Sequence, residues 1–135
     1  MALYEWNDKF LVGVTEIDQQ HQKLVALINT LHDAMKSGKT KDVLGQLFTE
    51  LVDYTVYHFA TEERLMTQFH YPDFEKHRRE HVALTQKAQS LQADYRAGRM
   101  AISFEVYEFL YDWLAHHIQG NDQKVGAFLR TQGVR

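Results

Sequence analysis

The sequence contains no cysteine and a single proline. The lack of cysteine excludes disulfide frameworks, thiolate zinc sites, iron–sulfur clusters and cysteine nucleophiles. Long hydrophobic runs are also missing, so we expect no membrane span. Acidic residues within the first twenty positions (Glu5, Asp8, Glu16 and Asp18) speak against a signal peptide. We therefore expect a cytoplasmic protein.

An excess of positive charge is absent as well. Lysine and arginine together number 15 against 18 aspartates and glutamates, for a net charge of −3, and no basic tail or stripe stands out. Binding to nucleic acid through phosphate neutralisation is therefore not expected. The length of 135 residues suits one domain, residues 1–135, which we expect to be monomeric. What the chain does have is histidine, eight in all.

The spacing of apolar residues predicts a helical protein, because they recur every three or four positions between the few glycines. After an N-terminal arm (Met1 to about Thr15, with Tyr4 and Trp6 available to pack), four helices are expected. The first is expected to run from Asp18 to Ser37–Gly38, the second from Thr40 to Gln68–Tyr71, and the third from Pro72–Asp73 to Gly98. The fourth is expected to begin at Ser103 and to include Val106, Leu110 and His117. Short connections make neighbouring helices antiparallel, so the expected fold is an all-α, up-down-up-down four-helix bundle. Residues Val125–Arg135 are then expected to form only the last turn of the fourth helix and a tail.

Polar residues on the inward-facing stripes are the informative feature. His58 and Glu62 lie four positions apart, as do His77 and His81, so each pair stacks on one helix face. His21 and His117 extend the apolar stripes of the first and fourth helices. A single inward histidine is more often a hydrogen-bonded core residue than a metal ligand, and a single pair is more often part of a solvated helix face. Together they predict a buried metal site, because unpaired buried charges are costly.

Three histidines, His32, His70 and His116, do not fit the stripes and are expected at the surface or in loops. Asp122 is ambiguous: five residues after His117, it would lie some 140° away around an ideal α-helix. It joins the inward face only if the helix widens around Ile118–Asp122, where Gly120 and Asn121 are poor helix formers. Helical periodicity alone does not select it.

The chain resembles the hemerythrins, and most closely the single-domain bacteriohemerythrins, over nearly its whole length. The matching residues are Trp6, Gly13–Val14, Ile17–His21, His58–Glu63, Tyr71–Pro72, His77–His81, Trp113–Leu114, His117–Ile118 and Asp122. The five-residue spacing from His117 to Asp122 belongs to the family pattern, which favours Asp122 as a ligand.

The resemblance implies reversible O2 binding, not catalysis, at two non-haem iron ions with a bridging oxo or hydroxo group. It implies that His77, His81 and His117 bind one iron, that His21 and His58 bind the other, and that Glu62 and Asp122 bridge them. The iron with fewer ligands would keep a position open for O2. Residues expected to line that pocket are Leu24, Phe59, Trp113, Leu114 and Ile118. An oxygen-consuming enzyme is the expected recipient of the O2.

Three alternatives compete with this interpretation, and the first lacks its motif. A ferritin-like carboxylate oxidase would need two ExxH motifs, and the chain has none. His77–His81 satisfies the HxxEH zinc-hydrolase pattern with Glu80 as base, but this leaves His21, His58 and His117 unexplained. An O2-sensing interaction module would use the same site.

Overall fold

A computed structural model describes residues 10–38, 41–98, 109 and 112–135, without the side chains of Lys41, Leu114 and Ala115. The expected packing of Tyr4 and Trp6, the caps Thr40 and Ser103, and the stripe positions Val106 and Leu110 fall outside the described residues. No strand occurs in the described ranges, and no helix within them is long and apolar enough to cross a membrane.

Three long helices form most of the bundle. They are α1 (Thr15–Lys36), α2 (Lys41–Gln68) and α3 (Phe74–Arg96), with α2 packed against both of the others. Gly38 and Gly98 follow α1 and α3 with φ of 68° and 74°, the left-handed conformation that ends a helix. The predicted all-α four-helix bundle is confirmed.

The first helix begins three residues earlier than expected. The Asp18 carboxylate, placed by the sequence at the start of α1, instead accepts hydrogen bonds from the backbone N–H groups of Val12 (2.8 Å) and Gly13 (3.2 Å). Asp18 therefore fastens the arm that precedes α1 to the first turns of that helix.

The fourth helical segment departs from α geometry. Trp113–Asp122 is a π-helix, followed directly by the α-helix α4 (Gln123–Thr131). The structure thus has the widened helix that Asp122 requires. The widening was expected over Ile118–Asp122, but it begins five residues earlier, at Trp113. The expectation of only a last turn and a tail after Val125 is wrong. Val125 and Leu129 are buried in α4, four residues apart on the face that packs against the arm.

The apolar core consists of two clusters separated by polar residues. The larger runs along the bundle and includes Leu24, Ile28 and Phe59, and the smaller includes Val12, Ile17, Leu65, Val125 and Leu129. In α1, His21 falls between Ile17 of the small cluster and Leu24 of the large one. The inward histidines therefore occupy a layer between two apolar regions.

The arm contacts α4 at Gly126. A Cβ atom at this position would overlap the Val12 carbonyl oxygen and would lie 2.6 Å from the Val12 Cβ. Glycine therefore allows the arm to cross α4 at backbone contact distance.

Candidate metal centre

The structure brings all seven predicted ligand residues together in two groups. One contains His77, His81 and His117, the other contains His21 and His58, and both include Glu62 and Asp122. Within each group, one potential ligand atom from every residue lies within 4.8 Å of the others. All seven side chains are buried.

The three-histidine half faces one oxygen of each shared carboxylate. Glu62 Oε1 lies 3.4 Å from Nε2 of His77, 3.4 Å from Nε2 of His81 and 3.8 Å from Nε2 of His117. Asp122 Oδ1 lies 3.2 Å from His77 Nε2 and 3.1 Å from His117 Nε2.

The two-histidine half faces the other oxygen of each carboxylate. His58 Nε2 lies 3.4 Å from Glu62 Oε2, and His21 Nε2 lies 2.8 Å from Asp122 Oδ2. All five imidazoles thus direct Nε2 toward the carboxylates. Because each carboxylate turns one oxygen to each half, the arrangement matches what is needed to bridge two metal ions.

Helix geometry explains this convergence. The pairs His58/Glu62 on α2 and His77/His81 on α3 are four residues apart, which places each pair on one face of an α-helix. A π-helix forms i→i+5 hydrogen bonds, so residues five apart stack. The π-helix therefore places Asp122 above His117, and an α-helix would have turned one of them away.

Burial and the shared carboxylates act in opposite directions on the imidazoles. Burial disfavours their charged form, but Glu62 and Asp122 outweigh it and raise the pKa of His58 and of His77 to about 9. The same competition raises the pKa of His117 to about 10, with Asp122 the largest favourable contributor.

The carboxylates respond to the histidines in turn. Burial raises the pKa of Glu62, but His58, His117 and His77 overcome this and hold it well below its usual range. Burial and repulsion by Glu62 raise the pKa of Asp122, and His117 and His21 lower it well below its usual range. In the metal-free protein, protons on the imidazoles thus balance the two buried negative charges.

The cluster fits a pair of metal ions. Among the described residues, the buried atoms without a hydrogen-bond partner include Nε2 of His58, His81 and His117, Glu62 Oε2 and Asp122 Oδ1. A buried polar atom left unpaired costs about 1–3 kcal/mol. The three imidazole nitrogens face oxygens of the shared carboxylates, so cations between them would satisfy nitrogens and oxygens together. Imidazole with carboxylate is a suitable donor set for iron.

A second layer of polar residues backs the imidazoles, and the sequence patterns do not select it. Gln20 Oε1 lies 2.7 Å from His58 Nδ1, and Glu63 Oε2 lies 3.1 Å from His81 Nδ1. Gln20 and Glu63 are sequence neighbours of His21 and Glu62 and lie within the segments Ile17–His21 and His58–Glu63 that resemble the hemerythrins, but neither signal assigns them a role.

Aromatic rings pack against the three-histidine half. Phe59 stacks on His81 with ring centroids 3.8 Å apart and planes 6° apart, and Trp113 lies nearly parallel to His117 at 6.3 Å. Leu24 and Ile118 are fully buried in the larger apolar cluster. The side chain of Leu114, the remaining expected lining residue, is outside the described part of the structure.

The other predicted residues fall outside the cluster. His70 and His116 are exposed and His32 is half-buried. Glu80, the base in the zinc-hydrolase alternative, accepts a hydrogen bond from Asn121 Nδ2 and lies 3.9 Å from His117 Nδ1. It is thus behind an imidazole and away from the convergent Nε2 atoms, a position that does not suit a base acting on metal-bound water.

The fold and the cluster together define an all-helical bundle protein with a buried cluster of histidines and carboxylates that could hold cations. The family model described as hemerythrin HHE cation binding domain matches residues 12–129. The chain belongs to the hemerythrin family, as the resemblance in the sequence indicated.

Related proteins and solved structures agree with this family assignment. The bacteriohemerythrin of Stenotrophomonas maltophilia (strain R551-3) is 38% identical over 91% of this chain and 79% of its own length. The bacteriohemerythrin of Methylococcus capsulatus (strain Bath) is 34% identical over 96% of this chain and 98% of its own. A crystal structure of wild-type hemerythrin has a TM-score of 0.89 at 33% identity, covering 95% of this chain and 98% of that one.

Proposed function

We propose that this protein binds O2 reversibly at two non-haem iron ions held by the seven clustered residues. In this proposal His77, His81 and His117 would hold one iron and His21 and His58 the other. Glu62 and Asp122 would be shared by both, together with an oxo or hydroxo group. The observation that carries it is the division of each carboxylate between the two halves, with one oxygen directed to each.

The two halves of the cluster have unequal numbers of histidines, and this difference explains where O2 would bind. Three imidazoles serve one half and two serve the other, while both share the same carboxylates. The half with His21 and His58 therefore has fewer protein donors and a place for a small ligand. When bound, the iron pair would supply the two electrons that O2 takes up on binding and returns on release.

The protein's own part is to hold the ligand atoms and to keep the site dry. Leu24 and Ile118 contribute fully buried apolar surface. The ring centroid of Phe59 lies 6.0 Å from that of His58 in the two-histidine half, and Trp113 lies 6.3 Å from Phe59. We propose that these four residues and Leu114 line the O2 pocket. Such a lining offers no acidic group near O2, which favours its release unchanged over its reduction.

We further propose that the protein is a monomeric, cytoplasmic carrier or store of O2 and not an enzyme. An oxygen-consuming enzyme is the proposed recipient. The relatives named bacteriohemerythrin support the class of function, since this chain covers most of their length.

The test is optical. Protein loaded anaerobically with Fe²⁺ is exposed to O2, then degassed, and the cycle is repeated while the near-ultraviolet and visible spectrum is recorded. We expect absorption that develops with O2 and fades on degassing. Iron-loaded protein that stays colourless under O2 would refute the proposal, and so would colour that never reverses.

A further inference from the structure

A buried chain of hydrogen bonds ends on one imidazole of the cluster. It runs from the Tyr57 carbonyl oxygen through the Thr61 hydroxyl (3.3 Å) to the Gln20 amide (3.0 Å), and from Gln20 Oε1 to His58 Nδ1 (2.7 Å). Gln20, Thr61 and His58 are all buried, with exposed fractions of 5%, 7% and 0%.

The chemistry of its members gives this chain a direction. A carbonyl oxygen only accepts, so the Thr61 hydroxyl donates to Tyr57 and accepts from Gln20 Nε2. The Gln20 amide therefore presents its oxygen to the imidazole, and His58 Nδ1 is the donor. When His58 is neutral, its lone pair must then be on Nε2, the atom that faces Glu62 Oε2 at 3.4 Å.

The two halves of the cluster are backed by groups of different charge. The Glu63 carboxylate accepts from Nδ1 of His81 in the three-histidine half, and the Glu80 carboxylate lies 3.9 Å from Nδ1 of His117. A neutral amide backs His58 in the two-histidine half. A carboxylate behind an imidazole increases its basicity as a ligand more than an amide does.

We propose that Gln20 is a positioning residue that aims His58 at the two-histidine half, and that this half binds its metal second and more weakly than the three-histidine half. The inference rests on the metal pair of the proposed function and does not depend on O2 chemistry. It deepens that proposal by assigning an order of metal loading and the residue that tunes the second step.

Zinc titration of metal-free protein provides the test, because Zn²⁺ binds imidazole and carboxylate without redox chemistry. Gln20→Met keeps the side-chain volume and removes the acceptor. We expect it to weaken the second binding step about 10–100-fold, the usual effect of losing an outer-shell partner, and to leave the first step within about twofold. Gln20→Glu retains an acceptor oxygen, so its second step should equal or exceed that of the native protein.

Two further variants separate positioning from general loss of structure. Glu63→Gln should weaken the first step and spare the second. Gln92→Met is the matched control: Gln92 Nε2 also donates to a threonine hydroxyl, that of Thr49 at 2.8 Å, and neither residue belongs to the metal cluster. It should change neither step.

A spectroscopic readout addresses the hydrogen bond itself. In zinc-loaded protein, ¹H–¹⁵N spectra should show a slowly exchanging His58 Nδ1–H that persists in Gln20→Glu and is lost in Gln20→Met. If Gln20→Met does not fold, Thr61→Val tests the same chain from its far end and should weaken only the second step.

Several results would overturn the inference. The first is a second zinc-binding step that is unchanged in Gln20→Met or, if that variant does not fold, in Thr61→Val. The second is equal weakening of both binding steps. The third is a second step in Gln20→Glu that is no tighter than in Gln20→Met. If iron-loaded protein did not bind O2, the zinc-binding results would still support the role of Gln20. If the second zinc-binding step did not depend on Gln20, the proposed O2 binding would be unaffected. The two proposals can therefore be refuted separately.

Discussion

Metal loading should displace protons from the cluster, and their number follows from the structure. In the metal-free protein, Glu62 and Asp122 hold the pKa of His58 and His77 at about 9 and that of His117 at about 10. A histidine must release the proton on Nε2 before that atom can bind a metal ion.

At pH 7, a group with a pKa of about 9 is roughly 99% protonated, so all three imidazoles carry a proton before metal binds. Filling both halves should therefore release about three protons per chain from these three histidines at pH 7, and a bridging hydroxide formed from water would add to that number. At pH 9, two of the groups are half-titrated and the third is about 90% protonated, so the release should fall to about two. The overall loading constant should rise about a thousandfold per pH unit near neutrality, because each displaced proton contributes a factor of ten.

Calorimetric titration with Zn²⁺ in buffers of different ionisation enthalpy measures this directly. The slope of observed heat against buffer ionisation enthalpy gives the number of protons released. A release of less than one proton at pH 7 would refute the charge balance described here. A release that does not decline between pH 7 and pH 9 would contradict the assignment to these histidines.

Three further predictions concern stability and stoichiometry. Because the pKa values of three histidines are raised above the unfolded value of about 6.5, their contribution to the stability of the metal-free protein is complete below pH 6.5 and is lost as pH rises through about 9 to 10. Urea unfolding at pH 6, 8 and 10 should show this decline, and stability that is constant or rises over this range would contradict it. Gly126→Ala should cost about 1–3 kcal/mol in urea unfolding, because the added methyl overlaps the Val12 carbonyl, whereas Gly120→Ala has open space and should not destabilise. Equal stability of the two variants would refute the close crossing. Glu62→Gln should lower metal content below two ions per chain, because both halves lose a shared oxygen, whereas Glu16→Gln, in an exposed ion pair with Arg64, should not; full metal content in Glu62→Gln would argue against bridging.

The bundle and most of the cluster can be predicted from the sequence because they follow α-helical periodicity. His58 with Glu62, and His77 with His81, are four residues apart on helices that the structure contains. Inward positions on an α-helix recur at this spacing, so residue type and spacing together are informative.

Asp122 is different because its position depends on a departure from that periodicity. Its approach to the shared site requires the π-helix Trp113–Asp122, and the sequence alone showed only that Gly120 and Asn121 would tolerate such a widening. Family resemblance, and not α-helical spacing, favoured it as a ligand.

Two other features depend on tertiary contacts that no local pattern reports. Asp18 is a good helix-start residue by type, but its carboxylate binds the arm, and α1 begins at Thr15. Gln20 looks like an ordinary polar neighbour of His21 until α2 places Thr61 and His58 on either side of its amide.

The most direct test of the central claim is the stoichiometry of O2 uptake. Iron content and O2 consumption are measured on the same anaerobically loaded sample, and O2 recovered on degassing is measured afterwards. Two iron ions and one recoverable O2 per chain are expected, because both halves of the cluster must be filled to form one binding position. One iron per chain with no recoverable O2 would contradict the account.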